Sequence, residues 1–532
     1  MNLFQAIKYS INNILQEGLT DIFPRPFEVD LLKKEGFKSE ISQSVKMSIE
    51  SAILDESIKD GKGLQLLKIH PITHVLYPKK EAFDFRKCAL IDPLDTIKYS
   101  AISLFLASDI EKKRIKKSDK KVYSYRLKIE EDGKYLFDKD FTYTAFNQQV
   151  GENLKNKGVS VLVKCDISNF YDRLNIHRLE SILLSISTKK NAIKLLNELL
   201  LFWANRDSYG LPVGSNPSRI LAEASLIDVD KFLLSHKVNF CRYVDDFRLF
   251  APNAKTAHYW LSLLVERLSI EGLFINQSKT SIEDVSDKTK YQKTEEERNQ
   301  RLEEKKKEKK IISGYSGTIP TKFRNASENE VKKIEEKDSS NLIQNVEETK
   351  VLQPDELREY CKIILYQKRY DKFKYLPVLL DNFPQFTPYV CDLITKHESA
   401  LPDEVKSYLK DEFSKWLTTA HYIPEYIAIA IVGLISHPSY RNTQVLFEYF
   451  RSLRRNAGSY IGRATLEALE KIIERGQVLE IRQYYNRADM WEKRQIVKIV
   501  DNHLHKEEKN AWYKNIKMNE YNDLFLIETI KK

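Results

Sequence analysis

The chain has 532 residues with 76 acidic and 86 basic side chains, for a net charge of +10. That length exceeds one ordinary hydrophobic core, so two or three domains are expected, and a charge this modest permits a polyanionic partner without demanding one. No apolar run approaches the roughly 20 residues of a membrane span, and five scattered cysteines without a Cys-x-x-Cys pair argue against structural zinc and for reduced thiols.

The N-terminal stretch Met-Asn-Leu-Phe-Gln-Ala-Ile-Lys lacks the sections of a secretory signal, so a cytoplasmic protein is expected. Residues 1–155 mix helix-like runs with basic loops, among them Tyr77-Pro-Lys79-Lys80 and Arg86. Charge-assisted bonds from such cations suit phosphate oxygens, and the planar fork of Arg86 suits them best. Next, Val161-Leu-Val-Lys-Cys-Asp166-Ile167 reads as a strand by its β-branched density. Alternation puts Val161, Val163, Cys165 and Ile167 on one face and Leu162, Lys164 and Asp166 on the other.

Gly210-Leu-Pro-Val213-Gly214-Ser215-Asn-Pro-Ser218 follows, a loop whose small residues let backbone approach a ligand. Ser218 is expected to open or cap a helix whose apolar face runs through Leu221, Ala224 and Ile227. Tyr243-Val244-Asp245-Asp246 then lies between short apolar runs, where the chain should fold back as a hairpin. Adjacent carboxylates beside apolar groups are costly unless compensated, and a divalent cation is the usual compensation. If the strand ending at Asp166 lies beside this hairpin, Asp166 and Asp245 can share two cations about 3.5–4 Å apart.

Further on, Glu271-Gly-Leu-Phe-Ile-Asn276-Gln-Ser-Lys279 ends in a lysine near a strand. Residues 293–310 form a mixed-charge run with almost no apolar face, expected as a solvated helix or an insertion spanning 285–312. Residues 331–353 read as a polar linker. From 354 to 532 the pattern is helical, with apolar spacings of three and four in Ile427–Ile435, Gln444–Leu453, Ala464–Ile473 and Trp491–Val500. Short helices repeating without strands suggest an all-α, HEAT-like array.

In order and spacing these motifs resemble those of reverse transcriptases over roughly residues 20–325. Asp166-Ile167-Ser-Asn-Phe170-Tyr171 is similar to the first palm motif and Tyr243-Val-Asp-Asp to the Tyr-x-Asp-Asp hairpin. The resemblance implies an α+β, right-hand polymerase: a fingers-like region 1–155 and an antiparallel palm 156–330, followed by the helical-repeat domain. It implies Asp166, Asp245 and Asp246 as ligands of Mg²⁺ or Mn²⁺ and Lys279 near the pyrophosphate. Lys80, Arg86, Ile167, Phe170, Tyr171, Gly214 and Ser215 would line the nucleotide site, with Tyr171 excluding a ribose 2′-hydroxyl so that dNTPs are the substrate. Arg126 and Arg242 would be structural or template-facing.

Leu-Pro-Val-Gly, Ser-Arg-Ile-Leu-Ala-Glu and Tyr-Val-Asp-Asp-Phe-Arg look like prokaryotic defence-associated and abortive-infection reverse transcriptases, in neither the retron nor the intron lineage. That lineage implies an antiphage role, RNA-templated synthesis from an associated non-coding RNA, and a homo-oligomer or companion defence protein. Val213 stands where many relatives carry Gln, which leaves protein-primed, template-independent synthesis as an alternative. A reading of another class is an RNA-binding or effector-recruiting scaffold, although such a scaffold has no physical need for three clustered carboxylates.

Overall fold

The computed structural model describes residues 1–20, 23–54, 63–79, 85–205, 207–287, 322–348, 354–419, 423–453 and 459–531. Among the described residues helices predominate, with a two-stranded sheet and a four-stranded antiparallel one. The chain forms two compact units: Met1–Ile72 with Ala89–Gln300, and Thr73–Cys88 with Arg301–Lys532.

In the first unit the helices are α1 (Leu3–Glu17), α2 (Phe27–Leu31), α3 (Glu35–Leu54), α4 (Gly63–Leu67), α5 (Pro93–Lys113) and α6 (Tyr143–Lys155). They continue as α7 (Phe170–Arg173), α8 (Ile176–Ile186), α9 (Lys190–Trp203), α10 (Asn216–Ser225), α11 (Ile227–Ser235) and α12 (Ala254–Ile270). Helix α5 is the hub, packed by α1, α3, α8, α9 and α10. Its start is specified locally: Asp92 accepts from the amides of Leu94 and Asp95, and Pro93 occupies the first turn. Lys112 and Lys113 oppose the dipole at its other end. Ile97, Tyr99, Ala101, Ile102, Leu104 and Leu106 are buried around much of its circumference, as a central helix requires.

The site-bearing sheet runs β4 (Phe240–Tyr243), β5 (Asp246–Ala251), β3 (Val161–Asp166), β6 (Ser281–Asp284), with antiparallel neighbours throughout. Strand β3 is covered on both faces: Val161, Leu162, Val163 and Cys165 are all buried. Leu162 joins Phe146, Tyr123, Cys241, Phe250 and Val285 in one core cluster. Each such side chain contributes about 1.5–3 kcal/mol on burial, which fixes the register against slippage. Val285, expected at the start of the charged insertion, is instead core, and its amide donates to the Ser160 carbonyl at 2.8 Å. The run 293–310 lies outside the described residues.

The second unit contains the hairpin β1 (Thr73–Pro78) and β2, which spans Phe85–Leu90 and whose last two residues belong to the first unit. Strand β1 packs on the helix Glu425–Ile435, with Tyr77 and Tyr426 ring centroids 6.3 Å apart. Of residues 331–353, expected as a linker, 349–353 lie outside the described residues, and the rest fall largely in two short helices, Glu328–Glu335 and Ser340–Glu347. Ser327 and Glu330 close a capping box at the first, and Ile343 and Val346 bury the apolar side of the second. The helices Thr387–Lys396, Glu425–Ile435, Ile461–Glu470, Met490–His503 and Leu524–Ile530 pack each on the next, while those between them lie alongside. At one step a Cβ on Gly462 would meet the Glu492 carboxylate, so a larger residue there would require that side chain to shift. Among the described residues no helix is long and apolar enough to cross a membrane.

Candidate active site

Strand β3 delivers Asp166 directly opposite Asp246, the first residue of β5. Tyr243, the last residue of β4, also faces Asp246, which leaves Val244 and Asp245 as a two-residue turn. The Ile167 amide donates to the Asp245 carbonyl at 3.1 Å, so the strand end and the turn are tied through backbone. On the other side the Asn276 amide donates to the Asp166 carbonyl at 2.7 Å, and Ser168 donates to the Phe274 carbonyl at 2.8 Å. Three aspartates are thereby brought to one end of the sheet, flanked by the segment 274–279. Val244 has φ +57°, a conformation that a β-branched residue rarely adopts.

The charges at this end are unbalanced. Burial, then the charge of Asp166, pushes the Asp245 carboxyl up to about 7. Burial also raises the Asp166 carboxyl, opposed by Lys279, whose Nζ donates to Asp166 Oδ2 at 3.2 Å, and by a hydrogen bond from the Asn276 side chain. Asp246 is paired with Arg248 at 2.8 Å, and that guanidinium lies 5.7 Å from the Phe146 ring centroid. Asp166 and Asp245 thus form a partly desolvated acidic pair, and among the described residues the cation set against it is the exposed Lys279 ammonium. Hard oxygen donors in excess of local positive charge fit a divalent cation. Arg248 and Asn276 were not assigned roles from sequence. The signal for Arg248 was its position two residues after Asp246, on the same strand face.

The other expected residues divide. Ile167 and Phe170 are buried and contribute backbone and packing, Phe170 meeting Tyr171 edge-on at 5.5 Å. The Tyr171 carbonyl accepts from the Leu211 amide at 2.9 Å, which joins the first motif to the glycine-containing loop. Gly214 has φ +111°, a backbone that requires glycine. Ser215, not Ser218, is the N-cap residue of α10. Ser218 lies one turn inside, where its buried hydroxyl meets Ser215 Oγ at 3.1 Å and Tyr99 Oη at 3.0 Å. The cap expectation fails because Pro217 fits the first turn and moves the boundary back. Val213 is buried, and its carbonyl accepts from Ala89. Arg126 and Arg242 are both buried and structural: Arg126 binds Glu111, and Arg242 binds Asp230. Arg86 lies on the part of β2 that belongs to the second unit. Lys80 lies outside the described residues.

Among the described residues, the one group of three ligand-type side chains within 4.8 Å of one another is His70, Asp92 and Asp95. Its carboxylates are already engaged. Asp92 caps α5, while Asp95 accepts from the His70 amide at 2.8 Å, meets His70 Nδ1 at 2.9 Å and pairs with Lys98 at 2.9 Å. That arrangement anchors the chain before β1 to the hub helix.

Residues 106–301 match the family model described as reverse transcriptase (RNA-dependent DNA polymerase). This is the domain of an RNA-directed DNA polymerase. No curated protein matches the chain. Similar solved structures include telomerase from Candida albicans with a TWJ fragment of telomeric RNA, at 13% identity, covering 82% of this chain and 70% of that one, with a TM-score of 0.31. Another is apo telomerase from Candida tropicalis, also at 13% identity, covering 77% and 68%, with a TM-score of 0.31. The reverse-transcriptase domain and the three aspartates occupy the same unit, and its chemistry is nucleotidyl transfer.

Proposed function

We propose that this reverse transcriptase adds dNTPs to a primer end, with Asp166 and Asp245 holding two divalent cations, Mg²⁺ or Mn²⁺, and Asp246 as the third carboxylate. The observation that carries this reading is the backbone tie between Ile167 and Asp245, which holds the end of β3 against the turn. Bound there, such ions would activate the attacking 3′-hydroxyl and neutralise charge on the departing pyrophosphate. Asn276 orients Asp166, and Lys279 supplies a mobile positive charge beside it. Tyr171, fixed by its backbone bond to Leu211, forms the wall that excludes a 2′-hydroxyl. Arg248 restrains Asp246, so that Asp166 and Asp245 are the principal ligands.

We further propose a right-hand arrangement in which residues 1–155 are fingers-like and 156–330 are palm. The stacking of alternate helices supports reading 354–532 as a HEAT-like array, which offers an extended surface for RNA or a companion protein. The motif set supports an antiphage role with a non-coding RNA template. Five buried, free cysteines support a cytoplasmic setting.

The test incubates purified protein with Mg²⁺ and labelled dNTPs, with and without nuclease, beside Asp245→Ala. Aspartate-dependent labelled DNA is expected. Its absence, even with co-purified RNA present, would sink the polymerase reading. Label that survives nuclease but is lost to protease would shift the primer from nucleic acid to protein.

A further inference from the structure

Arg242 precedes the turn on β4, and its side chain is fully buried. Its guanidinium forks onto Asp230 of α11, with Nε–Oδ1 and Nη2–Oδ2 both 2.7 Å. Nη1 lies 3.0 Å from Glu223 Oε2 of α10 and donates to the Val244 carbonyl at 3.2 Å. Glu223 is held from its other side by Arg114, the C-cap residue that follows α5, at 2.6 Å, and by the Ser124 hydroxyl. The backbone of Arg242 is pinned as well: its amide donates to Lys121 at 2.8 Å and its carbonyl accepts from Tyr123 at 3.0 Å.

Two arginines and two carboxylates are thus buried together, joining α5, α10 and α11 to the strand that carries the turn. Such a set is costly to desolvate, and apolar residues of equal volume would hold the same helices at least as firmly. What apolar residues cannot do is donate to a carbonyl. The bond that leaves this set for the turn ends on Val244, the residue in left-handed backbone.

We propose that the Arg242–Asp230–Glu223–Arg114 network positions the catalytic turn: it holds Val244 in its left-handed backbone so that Asp245 is presented beside Asp166. This rests on the reading of Asp245 as a metal ligand. Arg242 and Asp230 act through the turn and are positioning residues. Because the network fixes a ligand rather than the nucleotide pocket, its loss should appear in the metal requirement and kcat and leave the dNTP KM nearly unchanged.

The test compares Arg242→Lys, and the apolar pair Arg242→Met with Asp230→Leu, against the wild type. Primer extension is measured across a Mg²⁺ titration, and folding by thermal unfolding. For folded variants, kcat should fall by about tenfold or more and the half-activating Mg²⁺ rise by about fivefold, with dNTP KM within about threefold. Adding Val244→Gly to Arg242→Lys should restore at least about threefold of the lost kcat, because glycine adopts the left-handed backbone unaided. A folded variant with wild-type metal requirement, or no recovery with glycine, overturns the proposal. Failure of both network variants to fold also overturns it, since the network would then serve stability alone. An active Asp245→Ala would refute the ligand reading itself. An inactive one, beside unaffected network variants, would remove only the positioning role.

Discussion

Replacing Arg248 by Met asks whether Asp246 is held as half of an ion pair. Their charged atoms are 2.8 Å apart, with side chains 15% and 26% exposed. At an effective dielectric near 20 the attraction is about 6 kcal/mol, and desolvating both groups offsets most of it. Without the guanidinium, Asp246 would face Asp245 and Asp166 uncompensated. The metal-free protein should then lose about 2–3 kcal/mol, between the values for exposed and fully buried pairs. Met keeps an unbranched apolar stem of similar length, so lost volume is a small part of that figure. Urea denaturation in EDTA measures the loss, and the same experiment with Mg²⁺ should recover part of it by binding linkage. In an Asp246→Asn background the loss should shrink below about 1 kcal/mol. An equal loss in both backgrounds would show that Arg248 acts by packing, and the ion-pair reasoning would fail.

Other outcomes follow from the same geometry. Asp245→Ala should reduce nucleotidyl transfer by about 10²–10³-fold or more, read by primer extension at saturating dNTP, with the fold intact by circular dichroism. Tyr171→Ala should admit ribonucleotides, narrowing dNTP over rNTP preference by about 10- to 200-fold; an unchanged preference in kcat/KM would reduce Tyr171 to a packing residue. The Asp245 carboxyl is raised in the folded protein from 3.8 to about 7. Its folded form therefore holds a proton that the unfolded chain has released, and its contribution to metal-free stability is present below about pH 4 and lost as pH rises through about 7. Urea midpoints in EDTA should fall across that window, and a fall of the same size in Asp245→Asn would assign it to other groups.

What could be read from the sequence was what is local. Val161–Asp166 is β-branched and ends in its carboxylate, and the hairpin at Asp245 sits between two apolar runs, so strand, turn and ligand candidates share a few contiguous residues. Arg242 is visible as a cation near the hairpin, but its partners Glu223 and Asp230 come from two different helices, and Arg114, which holds Glu223 from its other side, caps the end of a third. No period or spacing in one chain connects residue 114 to residue 242. Ser218 misled because serine is a good cap in isolation, whereas Pro217 had already set the helix start one turn earlier. The polar, charged composition of 331–353 predicts a linker, yet a capping box and two buried aliphatic residues suffice for the short helices Glu328–Glu335 and Ser340–Glu347. Nothing near Tyr77 announces that its neighbour would be Tyr426, nearly 350 residues away, because such pairing is decided by tertiary packing.

That last pairing bears on how the protein is made. The chain passes from one unit to the other at residue 72, back at 88 and across again at 300. During synthesis, the hairpin of residues 73–88 emerges long before the helix at 425–435 that covers it. Its apolar side chains, Val75 and Tyr77 among them, must wait through more than three hundred residues of elongation. At about 5–20 residues per second that delay is tens of seconds, an interval in which an unpaired strand edge is exposed to other chains. Cutting the gene at residue 300 would make the wait permanent: one fragment would carry a hairpin without its cover, the other a cover without its hairpin.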